Sequence, residues 1–432
     1  MLRQNIKHIK TGLLSILVLI SFFLSYLLWN GNWRNTTEAG FATTSTLSAS
    51  DFPRATEAAS PYQILLSSSK LKKAAIILPS ESSYEQWLTE LSSIHLSDFH
   101  SVSHLPVHTF SQVKFEFTQM LDKSYILKWL PNLSSAELPV RGQSILLYTL
   151  NQTSPVFISI QGDTTTYIGQ TDLNASDLTQ SITDAISRSP WVSLNGQGND
   201  YVPASKYVMD KTTWKISYTS VLPLVHSFFV NPQILTRIQE NTNTVLWTDG
   251  SRAVQWDKLS QLLTFEDPNI NDHNLYQQSD LDTAMAFIRS HGGTPKEIAA
   301  FREDSQSELS GVSTYEFVRL LGGYPVYGTQ LSYLIEVYEG HIVRFVRPLI
   351  DLSEQNAVVH ENLLSPDMIR SIVNRNVKKQ DLSNVELKLG YYPTIKSATI
   401  TFIPSFSLYV DGKLVLIFDA STGSILSEGG QS

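Results

Sequence analysis

The sequence predicts an α+β fold, a multi-domain extracytoplasmic region of antiparallel sheets and packed helices that follows one transmembrane helix and ends in two similar α+β units. Three observations indicate this class. An uncharged apolar run near the N-terminus is long enough to cross a bilayer, short strand patterns separated by turn residues recur along the chain, and a helix-plus-hairpin pattern occurs twice near the C-terminus. The 432 residues suffice for two or three domains.

Composition excludes several classes of protein. A content of 42% hydrophobic and 17% charged residues is that of a folded chain, not of a disordered one. The chain has 40 acidic against 32 basic residues and no basic block, so we expect no nucleic-acid partner. Because there is no cysteine, disulfides, thiolate catalysis and every cysteine-containing metal site are excluded.

The first element is a transmembrane helix at residues 12–29. Gly12 to Trp29 are 18 residues without a charge, and 12 of them are Leu, Ile, Val or Phe. A cleaved signal peptide is the alternative, but the run is longer than the roughly 7 to 15 apolar residues of such a peptide and no small-x-small cleavage site follows it. The tryptophans Trp29 and Trp33 suit the lipid headgroup level.

Charge places the N-terminus in the cytoplasm. Arg3, Lys7 and Lys10 precede the helix whereas only Arg34 follows it closely, so the positive-inside rule predicts a cytoplasmic stub at 1–11 and an extracytoplasmic bulk. The protein would then be a single-pass protein of the cell membrane. Residues 30–60 are rich in Ser, Thr and Ala and are predicted to be a flexible linker.

Globular patterns follow in order. An N-terminal extracytoplasmic domain is predicted at 61–200 and a central domain at 201–278, separated by a Gly- and Asn-rich turn region. The first should contain strands at Ala74–Leu78, Lys114–Phe117, Ser144–Leu150 and Val156–Ile160 and helices at Tyr84–Leu91 and Leu178–Arg188. The second should contain strands at Trp214–Tyr218 and Val245–Gly250 and a short helix at Pro232–Glu240.

A C-terminal α+β repeat domain is predicted at 279–432. Each copy has a helix, a Leu-Gly-x-Tyr-Pro motif and a hairpin with an acidic-Gly tip, which supplies the positive φ of a tight turn. Such a layer exposes a sheet face or edge where a partner strand can dock. The paired features are the helices Ser279–His291 and Pro366–Val377, the motifs Leu321–Pro325 and Leu389–Pro393, and the tips Glu339-Gly340 and Asp411-Gly412.

Residues suited to chemistry are few. The histidines at 95, 100, 104 and 108 are dense enough to suggest zinc, but Pro106 breaks the helix that their spacing requires, which favours a polar loop. Ser67-Ser68-Ser69-Lys70 matches the Ser-x-x-Lys nucleophile motif without its companion motifs. The segment at 267–278 begins like a calcium loop but has Asp at position six and Gln at twelve, and is predicted to be a turn.

No catalytic, cofactor-binding or metal-binding residue is therefore assigned. Tyr324, Tyr327, Tyr391 and Tyr392 lie beside the two Gly-x-Pro motifs of the repeat. They are interpreted as turn and core packing, with a binding ledge as the alternative.

The order of several motifs resembles the YycH family over nearly the whole chain. These motifs are the anchor end Leu28-Trp29, Phe228–Pro232, Thr248–Arg252, Phe345–Leu349 and the C-terminal Pro404-Ser405-Phe406. The resemblance implies a non-enzymatic accessory protein of the WalK/WalR (YycG/YycF) two-component system of low-GC Gram-positive bacteria. Together with its paralogue YycI it would modulate the sensor histidine kinase WalK (YycG), and so cell-wall metabolism. The resemblance transfers no catalytic residue, and the sign of the effect differs between genera.

Within the membrane we expect one face of the helix to contact the kinase and YycI as well as lipid. Ser21 and Ser25 lie at i and i+4 and the face continues through Leu28 and Trp29, so small hydroxyl residues allow close approach of a second helix. Alternatively, the serines bond to carbonyls of their own helix. The rival functions are an extracytoplasmic peptide- or wall-binding module of protease-inhibitor type, or a cell-wall enzyme.

Overall fold

The computed structural model describes residues 55–429 with short gaps, together with residue 21. Apart from Ser21, the predicted transmembrane helix lies outside the described residues, as does most of the predicted linker. None of the helices described is long and apolar enough to cross a membrane. Within 55–429, the residues that the structure does not describe are 72, 104–107, 134–140, 163–164, 195–200, 205, 270–278, 296, 304–310, 379–380 and 383–384.

The described chain has a mixed α+β fold with antiparallel sheets, as the sequence predicts. The strands pair antiparallel throughout the described parts, apart from a single parallel bridge between Val326 and Tyr391. The α-helices there are α1 Ala55–Ala58, α2 Ser82–Ser93, α3 Lys123–Trp129, α4 Ala175–Arg188, α5 Val221–Ser227, α6 Asp280–Ser290 and α7 Pro366–Asn376.

Sheet A is built from the first part of the chain, in the spatial order β3-β7-β6-β5-β4-β1-β2-β8-β9. Helix α4 packs on its central strands through Leu178, Ile182 and Ile186, which recur every four residues on one helix face. The strands are β1 Gln63–Ser68, β2 Lys73–Ile77, β3 Leu96–Val102, β4 Ser111–Asp122, β5 Arg141–Thr149, β6 Phe157–Gln161, β7 Thr166–Thr171, β8 Trp191–Ser193 and β9 Tyr201–Pro203.

Two further sheets follow. Sheet B has the order β20-β10-β22-β23-β24, with β21 paired to β22, and sheet C has the order β11-β12-β13-β14-β19-β18-β16-β15, with β17 paired to β16. The strands of sheet B are β10 Val208–Tyr218, β20 Ile350–Asn362, β21 Val385–Lys396, β22 Thr399–Val410, β23 Lys413–Asp419 and β24 Ile425–Glu428. Those of sheet C are β11 Thr236–Gln239, β12 Thr244–Thr248, β13 Ala253–Asp257, β14 Leu262–Glu266, β15 Ile298–Glu303, β16 Val312–Leu321, β17 Tyr324–Pro325, β18 Tyr333–Tyr338 and β19 His341–Pro348.

One predicted helix is wrong. Only Pro232–Ile234 forms a single 3₁₀ turn, and the following residues form strand β11 rather than a helix that continues to Glu240. Thr236 and Ile238 are β-branched, and β12 offers them a ladder in which Thr236 pairs with Thr248 and Ile238 with Leu246. Strand pairing therefore outweighs the local helical pattern.

The two repeat copies each contain a helix followed by a three-stranded antiparallel meander. In the first, α6 precedes β16, β18 and β19, and in the second, α7 precedes β21, β22 and β23. Both hairpin tips have the predicted positive φ, with Glu339 at 47° and Gly340 at 77° in one and Asp411 at 50° and Gly412 at 75° in the other.

Sheet pairing crosses the predicted domain boundaries. Strand β10 joins sheet B while β11 to β14 join sheet C, so residues 201–278 do not form a sheet of their own. The two repeat copies also belong to different sheets. The domain limits rest on local composition, whereas sheet pairing joins strands that are distant in sequence, and β10 and β20 are more than a hundred residues apart.

Candidate functional site

The predicted membrane face is largely outside the described residues. Ser21 is helical and exposed, whereas Ser25, Leu28 and Trp29 are not among the residues that the structure describes. The pairing of Ser21 with Ser25 on one face therefore stays a prediction.

The histidine group lies on the surface of sheet A. His100 belongs to strand β3, which pairs with β7, so the predicted polar loop is wrong at this residue. His95 and His108 are exposed, and the Nδ1 atom of His95 lies 3.3 Å from a carboxylate oxygen of Asp172. His104 lies outside the described residues, and nowhere in the described part do three His, Asp or Glu side chains approach as a metal would require.

The serine and calcium motifs have ordinary structural partners. Ser67 is buried on β1 and its hydroxyl accepts a hydrogen bond of 2.8 Å from Gln112, while the Lys70 ammonium lies 4.8 Å from the centre of the Phe110 ring. The Asp267 carboxylate accepts hydrogen bonds from the backbone and side chain of Asn269 at 3.1 and 3.2 Å. Ser67 is therefore an ordinary strand residue, and Asp267 stabilises a turn.

A buried charge network supports the middle of sheet A. Burial alone would raise the pKa of Glu116, but the Lys114 ammonium at 2.6 Å and hydrogen bonds from Gln63 and Tyr62 outweigh it and lower that pKa. The carboxylate is thus fully charged at neutral pH and fixed by three neighbours. It is a structural group, because its acceptor positions are occupied.

Two of the sequence motifs meet in the core of sheet C. The ring of Phe228 stacks on Phe265 at 5.0 Å and on His291 at 4.5 Å, and lies 6.2 Å from Phe345. Phe287 of α6 completes this aromatic cluster. The motifs beginning at Phe228 and Phe345 therefore fix the packing of α5 and α6 on the sheet.

The buried side chain of Arg347 binds the C-terminal end of helix α6. Arg347 is 4% exposed, donates a hydrogen bond to the carbonyl of His291 and lies 5.7 Å from the centre of the Tyr333 ring. The carbonyl end of a helix carries partial negative charge, which favours a cation there. Gly292 leaves the room required, since a Cβ at that position would lie 2.3 Å from a guanidinium nitrogen.

His291 is held neutral in this cluster. Burial lowers its pKa, and the nearby Arg347 charge lowers it further, although backbone carbonyls of Phe287 and Ser227 oppose both effects. The Nδ1 atom lies 2.7 Å from the carbonyl of Phe287, so the imidazole is anchored to its own helix.

The tyrosines lie where the three sheets meet. The hydroxyl groups of Tyr324 and Tyr207 lie 2.8 Å apart, and the ring of Tyr324 meets that of Tyr391 edge-on at 6.4 Å. Burial raises the pKa of Tyr391 to about 12. The backbone N–H of Tyr327 donates to the carbonyl of Tyr391 at 2.7 Å, and the hydroxyl of Ser80, in the turn after β2 of sheet A, donates to the carbonyl of Gly322 at 2.9 Å. These contacts favour packing over a binding ledge.

The second Leu-Gly-x-Tyr-Pro motif is not a turn, which corrects the sequence interpretation. Gly322 and Gly323 have positive φ in a turn after β16, but Gly390 lies inside strand β21. A Cβ on Gly390 would lie 2.4 Å from the carbonyl oxygen of Pro325 and 2.4 Å from the Tyr327 ring. The second glycine is therefore required for close packing, not for a turn.

Comparison with known proteins identifies the family. The model of the YycH protein, C-terminal domain, matches residues 197–420, which is more than half of the chain. This chain belongs to the YycH family. The crystal structure of YycH from Bacillus subtilis is similar with a TM-score of 0.60 at 14% identity, covering 84% of this chain and 97% of that one. The resemblance inferred from the sequence is confirmed.

The other comparisons add little. An uncharacterized protein from Eubacterium rectale has 14% identity and a TM-score of 0.35, covering 51% of this chain and 87% of that chain. The search of curated proteins found no match.

Sequence reasoning missed the Arg347 cap and the Gly390 contact. A signal existed for the first, because Arg347 is a single charge between Phe345-Val346 and Pro348-Leu349. Gly390 gave a misleading signal, since Gly followed by Tyr-Tyr-Pro is also typical of a turn. Only the position of Pro325 across the junction distinguishes the two.

The first prediction compares two glycines. Gly412→Ala should reduce the free energy of unfolding by about 1 kcal/mol, because its positive φ disfavours alanine while no atom lies within 4 Å of the new Cβ. Gly390→Ala should cost more, about 2 to 3 kcal/mol, because the methyl group meets backbone that cannot rotate away. Urea denaturation measures both, and equal losses would contradict the role given to Gly390.

The second prediction concerns pH. The folded pKa of His291 is lowered below the 6.5 of an ordinary histidine, so its contribution to stability is present above about pH 6.5 and is lost as the pH falls through the folded value. His291→Gln should flatten the decline of the free energy of unfolding between pH 7.5 and 5. The exposed His108→Gln is the control and should keep the parental slope; equal slopes in all three proteins would refute the assignment.

The third prediction concerns metal. His95, His100, His104 and His108 should bind none, so a chelator should leave the thermal unfolding midpoint unchanged. The purified protein should also contain less than stoichiometric zinc by elemental analysis. Zinc at one ion per chain, lost together with stability on chelation, would refute this.

Proposed function

We propose that this chain is a non-enzymatic, membrane-anchored regulator that acts with the paralogue YycI on the sensor histidine kinase WalK (YycG). The family match over residues 197–420 carries the proposal. Membership of the YycH family supports a regulatory accessory role in the WalK system, and the resemblance noted in the sequence supplies the finer statement. Through the kinase, the protein would adjust cell-wall metabolism in a Gram-positive bacterium.

The described residues support a function in binding a partner rather than in catalysis. The motifs that carry the family resemblance build the aromatic core around Phe228 and the cap made by Arg347. Ser67 and Lys70, which match a nucleophile motif, have separate partners in Gln112 and Phe110. A regulator needs a stable scaffold and a surface or helix that meets its partner, and these features provide the scaffold.

We place the regulatory contact in the segment at 12–29. Lipid offers no hydrophobic drive for helix association, so contact between helices depends on close approach and on hydrogen bonds between them. In an α-helix, Ser21, Ser25 and Leu28 share one face and Trp29 borders it, at the level of the headgroups.

The fourth prediction tests this face. The double change Ser21→Ile with Ser25→Ile should reduce recovery of WalK and YycI with the full-length chain from detergent-solubilised membranes and shift expression of a WalR-controlled reporter. Each interhelical hydrogen bond is worth only about 0.6 kcal/mol, so both must be removed for a clear effect. Anchoring should persist because isoleucine favours insertion.

The matched control is Ser15→Ile, since residue 15 lies about 120° from Ser21 around a helix at 3.6 residues per turn. It should behave like the parent. If the double variant also behaves like the parent, and replacement of 12–29 by an unrelated anchor changes nothing, the helix does not carry the contact. If deletion of the whole chain changes the reporter but the chain binds neither WalK nor YycI, the proposal that it acts directly on the kinase is wrong.

A further inference from the structure

One strand edge of the described structure is long and left open. Strand β20 has 13 residues and pairs with β10 alone among the described strands. The other strands at the ends of the three sheets have protective features. β9 and β11 have three and four residues, β24 has four and ends in Glu428, and β3 has an irregular register near Asp98. Strand β15 packs against β4, and β21, which pairs with β22, is met by the bridge from Val326 to Tyr391.

Cross-strand ion pairs join β20 to β10 at two points along this ribbon. The Lys215 ammonium lies 2.6 Å from Glu354, and that of Lys211 lies 3.2 Å from Glu361. The residues between these glutamates, 355–360, have no Asp, Glu, Lys, Arg, Pro or Gly, and the one histidine among them, His360, lies 2.5 Å from Asp210 of β10. The charges that normally protect an edge are thus directed at the neighbouring strand, and the middle of the edge has none.

The C-terminal half of β20 is also the regular half. The register shifts of the β10–β20 pairing fall between Leu352 and Ala357, whereas Ala357 to Asn362 pair without interruption. Val358 is 44% exposed and Val359 is 53% exposed. A straight ladder with free N–H and C=O groups and exposed β-branched side chains is suited to addition of a strand.

We propose that this edge pairs antiparallel with the same edge of a second copy of the chain, about a twofold axis at Val359. That register is self-complementary. Val359 would face Val359 of the second copy, Val358 would face its His360, and Ala357 would face its Glu361. No two like charges would stand opposite each other, and all five positions lie in the regular part of the strand.

An unrelated strand would gain the same main-chain hydrogen bonds, but it would need its own uncharged apolar residue opposite Val359. The second copy provides that residue by symmetry, and a closed twofold pair leaves neither edge open for further growth. This inference is independent of the proposed role at the kinase.

The fifth prediction uses the absence of cysteine from the chain, which makes single-cysteine variants unambiguous. Val359→Cys in the full-length chain, in its own membrane, should form a disulfide dimer of twice 48.4 kDa under mild oxidation. Directly opposed residues of antiparallel strands have Cα atoms about 4.5 to 5.5 Å apart, within the range that a disulfide spans.

The matched control is Val208→Cys on the neighbouring strand β10. Val208 is 49% exposed, close to the 53% of Val359, but lies one strand away from the proposed axis. We expect about tenfold more dimer for Val359→Cys than for Val208→Cys, because only the first pair is held at high effective concentration. Equal yields would overturn the proposal.

A photo-crosslinking residue at position 359 identifies the occupant without needing a cysteine on it. Adducts of twice the chain mass that contain only this protein support the second copy. Adducts that contain only other proteins, or no adduct at all while the thermal midpoint remains parental, would overturn it. Both substitutions replace exposed side chains, so the thermal midpoint should stay unchanged in every variant.

Discussion

The arrangement of the three sheets depends on one close contact, in which the backbone of Pro325 lies against Gly390. The segment around it has contacts in three directions. Val326 bridges to Tyr391 of sheet B, the hydroxyl of Tyr324 meets that of Tyr207 just before β10, and Gly322 accepts a hydrogen bond from Ser80 in the turn after β2. A side chain on Gly390 would separate the two backbones. Since packed interiors yield little, a displacement here would be passed to every sheet at once.

The motifs that identify the family have structural roles of the same kind. Phe228 and Phe345 share one aromatic cluster, and Arg347 places a buried cation at the carbonyl end of α6. An arginine with so little exposure would be costly without such partners. These motifs therefore serve the core, and the function must be sought on the surface or in the segment at 12–29.

Sequence reasoning succeeded where the signal is local. Trp87, Leu88 and Leu91 follow the helical period of α2. The acidic-Gly pairs that end at Gly340 and Gly412 predict their hairpins, because the turn itself requires positive φ. It failed where the local structure depends on a partner elsewhere in the sequence. The β-branched residues Thr236 and Ile238 do not by themselves show that β12 will pair with them, and nothing near Gly390 in the sequence indicates its contact with Pro325. The sequence predicts an exposed sheet edge only as a general property of an α+β layer. It does not predict that β20 is that edge, because residues 350–362 do not reveal which strand will pair with them.

The two proposed contacts obey different physics and have different partners. Helices in lipid gain about 0.6 kcal/mol from a hydrogen bond between them, and a main-chain hydrogen bond formed in water contributes about 0.5 to 1.5 kcal/mol. Neither value gives a lasting association from a few bonds. Two copies joined at β20 would bring two membrane helices together, so that two weak helix contacts would act as one stronger contact. A change at Val359 should then weaken assembly in the membrane without altering the core that Gly390 and Arg347 hold in place.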